Sequence, residues 1–221
     1  VYLGKAVQTV NPPNASVGLS QLTATGTKDA TTFLRGDNTF DAPSLDFKSL
    51  LSASSGTNVS EVVFDDLDVS TYSHFMLVWF SQPTSDNSYL YFQMRTGGSS
   101  GANFTTGAYD SAVFGTSADN TYYSTHEINQ DHWRVHQNAG NNTVEYHQSQ
   151  IFFTPFKSGN QAYLGNFMRA QGTRYDSSGN FRPEFSGGAY NHSDYPAATG
   201  FRIYYHTGDI NKYNYKLYGI V

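Results

Sequence analysis

From Leu45 to the end, the chain is a succession of short strand-forming runs broken by polar turns, and this alternation most restricts what it can fold into. The runs are Lys48–Ser54, Glu61–Leu67, His74–Ser81, Tyr89–Thr96, His147–Phe156, Ala162–Ala170, Phe181–Tyr190, Gly200–His206 and Tyr213–Ile220. Ser55-Gly56, Gln82-Pro83, Gly97-Gly98, Ser158-Gly159-Asn160 and Ser178-Gly179-Asn180 punctuate them. Gly, Pro, Asn and Ser at such points supply backbone angles that end a strand. With no convincing helical period and no internal repeat, the pattern predicts an all-β fold, an antiparallel β-sandwich of jelly-roll type. His74–Phe80 is apolar at consecutive positions and reads as a central strand covered on both sides. The expected core runs through Phe75, Leu77, Trp79, Leu90, Phe92, Phe153 and Leu217. Between Gly97 and Tyr146 the pattern dissolves. That stretch is too long for a simple connection, so one or two further strands plus long loops are expected there.

The N-terminal part is different in kind. Tyr2–Val10 alternates loosely and stops at Asn11-Pro12-Pro13-Asn14, like the last strand of a preceding module. Ser20–Phe40 is rich in threonine, and its large apolar groups are only Leu22, Phe33, Leu34 and Phe40. So few apolar side chains cannot offset the ordering entropy of that stretch alone. It needs the next domain or neighbouring copies to pack on. The predicted organisation is 1–19 as the end of an upstream module, 20–43 as a Thr-rich connector and 44–221 as a sandwich domain. Arg35-Gly36-Asp37 reads as a turn before Phe40 rather than an adhesion tripeptide.

This stretch resembles a recurring connector in tail fibres and adhesins of tailed bacteriophages, roughly Leu-Thr-Ala-Thr-Gly-Thr-x-x-x-Thr-Thr-Phe-Leu-Arg-Gly-Asp-x-Thr-Trp. The matching positions are Leu22–Thr27, Thr31–Asp37 and Thr39. The chain departs at Phe40, where the family has Trp, and at Lys28-Asp29-Ala30. The remainder is similar to β-sandwich heads of such fibres, through Phe64-Asp65-Asp66-Leu67 and Lys216-Leu217-Tyr218-Gly219-Ile220. The resemblance implies a homotrimeric tail-fibre protein of the virion, exposed to the extracellular medium and joined to upstream fibre and other virion proteins. Its head would bind a host-surface glycan or outer-membrane receptor without catalysis. Leu22, Phe33, Leu34 and Phe40 would then be the trimer-connector contacts. A surface-polysaccharide depolymerase tailspike, and a structural or decoration protein elsewhere on the virion, are the alternatives.

The residues themselves narrow the chemistry. A formal charge of −5 argues against a nucleic-acid surface, and no run is long and apolar enough to predict membrane insertion. With no cysteine, disulfides, thiolate metal sites and cysteine catalysis are out. Carboxylates are scattered and no nucleophile elbow or phosphate loop is present, so no enzyme and no cofactor are expected. His126, His132 and His136, with Glu127 and Asp131, could ligate a metal, but they match no stock spacing and no metal site is assigned. Asp65-Asp66-Leu67-Asp68 reads as a solvated strand end rather than a calcium loop. What remains is a palette of aromatics among Asn, Ser and Gly, suited to stacking on sugar rings or to adaptable contacts. The candidate receptor-binding residues are Tyr122, Tyr123, His132 and Trp133 in one expected loop region, and Tyr175, Tyr190, His192 and Tyr195 in another.

Overall fold

The structure, a computed structural model, describes residues 25–26, 33–34, 40–41, 47–55, 58–96, 100–105, 107–117, 120–155, 167–190 and 197–220. Two compact units emerge, Val1–Leu45 and Asp46–Val221. In the first, β1 (Phe33–Leu34) and β2 (Phe40–Asp41) form a two-stranded antiparallel ribbon, with Leu34 opposite Phe40. The Gly36-Asp37-Asn38 turn signal lies between these strands. Leu22 and the upstream residues 1–19 lie outside the described residues.

The second unit is all β, antiparallel throughout, with no α-helix among the described residues. Its strands are β3 (Phe47–Ser55), β4 (Glu61–Phe64), β5 (His74–Pro83), β6 (Ser88–Arg95), β7 (Tyr109–Thr116) and β8 (Tyr122–Gln130). They continue as β9 (Trp133–Ala139), β10 (His147–Phe153), β11 (Phe167–Tyr175), β12 (Phe181–Tyr190), β13 (Gly200–Tyr205) and β14 (Ile210–Ile220). A large sheet runs β3-β14-β5-β10-β11-β12-β7-β8, and a small one runs β4-β13-β6-β9. Setting aside the hairpins β7–β8 and β11–β12, successive strands alternate between the sheets. That alternation is jelly-roll connectivity, with β3-β14-β5-β10 facing β4-β13-β6-β9. The two hairpins are insertions that widen the large sheet from four strands to eight.

Why these residues make these strands is visible in their period. β5 buries Phe75, Leu77 and Trp79 on one side, each with no exposed surface, while Met76, Val78 and Phe80 alternate outward. The outward set is half-buried rather than covered, which corrects the expectation of a strand enclosed on both faces. The inward set meets Leu90 and Phe92 of β6, Phe153 of β10, Phe201 of β13 and Leu217 of β14 in one core. Phe92 stacks on Phe201 at 4.7 Å between ring centroids and Phe75 on Phe153 at 5.5 Å. All seven expected core residues are buried.

The stretch Gly97–Tyr146 departs from expectation. Its described residues hold three strands, β7, β8 and β9, rather than one or two with long loops. β7 alternates through small groups (Ser111, Val113, Gly115 inward), and β8 is an edge strand whose side chains are exposed or half-exposed. Neither gives the apolar alternation that marks a half-buried strand.

Candidate functional site

The widened part of the large sheet carries an unusual outer face. Register links Val78, Gln150, Gln171, Phe185, Phe114 and Ser124 into one row across six strands, β5 to β8. Side chains two residues apart on a strand share a face, so a second row lies beside the first. It comprises Phe80, Gln148, Thr173, Pro183, Thr116 and Tyr122, in the same strand order. Phe114 is 54% exposed, Phe185 49% and Tyr122 84%. The Phe114 and Phe185 rings stand side by side, centroids 5.6 Å apart and planes within 18°. Two hollows of about 360 Å³ each flank Phe185. One is lined by Val78, Gln148, Gln150, Gln171 and Thr173, the other by Phe114, Thr116, Tyr122, Ser124 and Pro183. Gln171 donates from Nε2 to Gln150 Oε1 at 2.9 Å.

Electrostatically the two rows are bare. Neither contains an Asp, Glu, Lys, Arg or His. Charge lies at their margins: Lys216 is beside Val78, 5.9 Å from the Tyr218 ring, and on the other side of the first row Arg169, 5.2 Å over Phe152, and exposed His126 sit two residues from Gln171 and Ser124.

Directly beneath this face, Glu184 points inward between Pro183 and Phe185, with no exposed surface. Its Oε1 accepts from Arg174 Nε at 2.6 Å and from the Tyr123 hydroxyl at 2.5 Å. Oε2 accepts from His136 Nδ1 at 2.8 Å and from the Gln137 backbone N–H at 3.1 Å. A carboxylate only accepts, so Nδ1 carries the His136 proton. Burial alone would raise the carboxyl's pKa. The His136 hydrogen bond and charge, with the Arg174 charge, overcome it and bring Glu184 down to about 2. Burial, then the Glu184 charge, pushes the Tyr123 phenol up, so it remains a donor. His136 Nε2 meets Ser149 Oγ, and Arg174 Nη1 donates to Asn138 O at 2.6 Å. Strands β8, β9, β10, β11 and β12 are thus tied by one carboxylate and its partners. Gly172 belongs to this packing: a Cβ there would stand 2.9 Å from His136 Nε2 and closer still to Gln148 O.

A second chain of hydrogen bonds runs alongside. Trp79 Nε1 donates to Ser81 Oγ (2.7 Å), Ser81 meets the Tyr205 hydroxyl (2.7 Å), and that hydroxyl meets His147 Nδ1 (2.9 Å). His147 Nε2 donates to Gln137 O at 2.9 Å. Complete burial, then the charge of neighbouring His136, holds His147 well below the usual histidine range, so it is neutral. Nδ1 is therefore the acceptor and Tyr205 its donor.

Ser149, His136 and Glu184 stand in the hydroxyl–imidazole–carboxylate order of a nucleophilic relay. Ser149 is only 2% exposed and both partners are fully enclosed, so a substrate carbonyl does not reach the hydroxyl in this arrangement.

The residues singled out from the sequence meet different fates. Tyr122 lies on the exposed face. Tyr123, on the same strand, turns inward to Glu184. Trp133 and Tyr190, expected in exposed loops, are core: Trp133 has no exposed surface and donates to Ala189 O at 3.0 Å, and Tyr190 packs on Tyr109 at 4.7 Å. Their large apolar area outweighs the polar character of the surrounding sequence. His132 is also buried, stacked 3.6 Å on Tyr91 and bonded to Asp131 at 2.5 Å. Tyr175 is half-buried between Tyr146 and Phe181. His192 and Tyr195 lie outside the described residues, as do the side chains of Phe33, Leu34 and Phe40.

The three clustered histidines separate. His126 is exposed on β8, His132 pairs with Asp131 and faces Glu127 at 3.7 Å, and His136 joins the Glu184 network. No group of three or more His, Asp or Glu able to hold a metal occurs among the described residues. Asp65 pairs with Arg95 at 3.1 Å while Asp68 caps Ser70 and Thr71, so those carboxylates do not converge. Sequence reasoning missed Phe114, Phe185, Gln148, Gln150 and Gln171. The signal available was the strict alternation of Phe181-Arg182-Pro183-Glu184-Phe185-Ser186. Comparison with known proteins finds no matching family model and no matching curated protein.

Proposed function

We propose that the chain is part of a tailed-bacteriophage fibre that attaches the virion to its host, and that the outer face of the widened sheet is its receptor-binding surface. The observation that carries the reading is the two-row strip of aromatic, amide and hydroxyl side chains. Phe114, Phe185 and Tyr122 project from the strands inserted into the jelly roll, on the face turned away from its core. Exposed aromatic rings beside amides bind the alternating C–H faces and hydroxyls of a glycan, or an equivalent protein surface. The connector resemblance at Leu22–Phe40 supplies the fibre context and a homotrimer, so weak single contacts are multiplied by valency.

The test is retention of the labelled chain on a panel of bacterial strains, with sugar release measured in parallel. Attachment without release is expected. A surface-polysaccharide depolymerase is the alternative reading, and the enclosed Ser149–His136–Glu184 order does not favour it, because such a relay acts on a carbonyl and glycosidic bonds are cleaved between two carboxylates. Sugar release by the wild-type chain would establish it over attachment alone.

A further inference from the structure

Resting on that attachment reading, we infer that the ligand is an uncharged, linear polysaccharide bound along its length across the strands, not a terminal or acidic sugar. Three observations carry this.

The first is charge. An acidic sugar seated along the strip would bring its carboxylates against twelve row positions without a cation, charged groups standing only at the margins as Lys216, Arg169 and His126. Taking a carboxylate partly out of water with no partner is unfavourable, whereas a hydroxyl needs only amide and hydroxyl groups. The rows supply them. With Gln171 Nε2 donating to Gln150 Oε1, the pair still presents Gln150 Nε2 as donor and Gln171 Oε1 as acceptor. Gln148, Thr173, Thr116 and Ser124 extend the same chemistry.

The second is length. The strip crosses six strands, and five steps of strand spacing make roughly 24 Å, longer than a single sugar ring or a disaccharide. The third is its open end. It finishes at β8, the sheet edge, and Tyr122 there is 84% exposed, so none of the described residues walls off a longer chain.

The experiment uses the full chain with cello-, malto-, manno- and xylo-hexaose and their disaccharides as neutral probes, and polygalacturonate, alginate and polysialic acid as acidic ones. A neutral hexasaccharide should bind at least roughly tenfold tighter than its own disaccharide. Its affinity should change less than about twofold between about 50 and about 500 mM NaCl. Phe185→Ala should lower it about tenfold or more with the melting temperature unchanged. Preference for the acidic probes, with affinity falling as salt rises, overturns the inference while leaving attachment standing. Equal affinity for disaccharide and hexasaccharide overturns the lengthwise mode. Retention of none of the probes, with Phe185→Ala attaching to cells as well as wild type, overturns both the inference and the binding face it rests on.

Discussion

Glu184→Gln isolates the group that ties the widened sheet together. The substitution keeps shape and removes charge. It leaves Arg174, only 4% exposed, without a carboxylate and bonded to neutral acceptors such as the Asn138 carbonyl, and it turns an amide N–H toward one of four donors. Breaking a buried pair from one side costs about 3–5 kcal/mol. Proton linkage gives a second route to the magnitude. A carboxyl that ionises near 2 in the fold and at its ordinary 4.5 in the open chain contributes about 3 kcal/mol at neutral pH. Because the folded pKa is depressed, that stability is fully present above 4.5 and is lost as pH falls from there towards 2. Urea unfolding of both proteins at pH 7 should therefore differ by about 3–5 kcal/mol, or roughly 6–20 °C in Tm for a domain of this size. The gap should narrow towards pH 2. A difference under about 1 kcal/mol at pH 7, or one that does not depend on pH, would refute the view that this carboxylate holds five strands together.

His147 adds an earlier acid step. Its folded pKa lies below the ordinary 6.5, so its contribution is lost as pH falls below 6.5, and wild-type urea midpoints should decline from there before the Glu184 step begins. Trp79→Ala and Trp133→Ala should each cost about 3–5 kcal/mol by thermal or urea unfolding, since neither ring is exposed; a loss below about 1 kcal/mol would contradict their placement. Gly188→Ala should lower stability by about 1–3 kcal/mol, because a Cβ there meets Asp110 O at 2.8 Å and the Trp133 ring edge more closely still. The proposed trimer is tested by sedimentation: a stable wild-type monomer would refute it, and changing Phe33 and Leu34 together to Ser should weaken it while leaving the far-UV spectrum of the sheets intact.

Much of the fold was legible in the sequence, for a definite reason. Where the two faces of a strand differ in polarity, period-two alternation marks it, and Phe181–Tyr190 was read to its observed ends. What alternation does not tell is which side faces in. In β12 the apolar residues Phe181 and Phe185 face out while Glu184 and Ser186 face in, the reverse of the usual order. That inversion is stable because Glu184 meets His136, 48 positions away, and Arg174. No local pattern announces such partners. The same limit explains the aromatics: Tyr122 and Tyr123 are neighbours, yet one is exposed and the other anchors the network. Trp133 looked like a binding residue because its neighbours are polar, but those neighbours include His136 and Gln137, which are themselves buried and bonded. β8 escaped notice because an edge strand with exposed sides needs no apolar period.

The central claim is that the outer face of the widened sheet is the attachment surface. Its most direct test is attachment of the Phe114→Ala/Phe185→Ala double variant to a bacterial strain that retains the wild-type chain, with the melting temperature measured on the same preparation. Both rings are about half exposed, so folding should be little changed, within about 1 kcal/mol, while attachment falls at least roughly tenfold. Undiminished attachment by a normally folded double variant would contradict the claim.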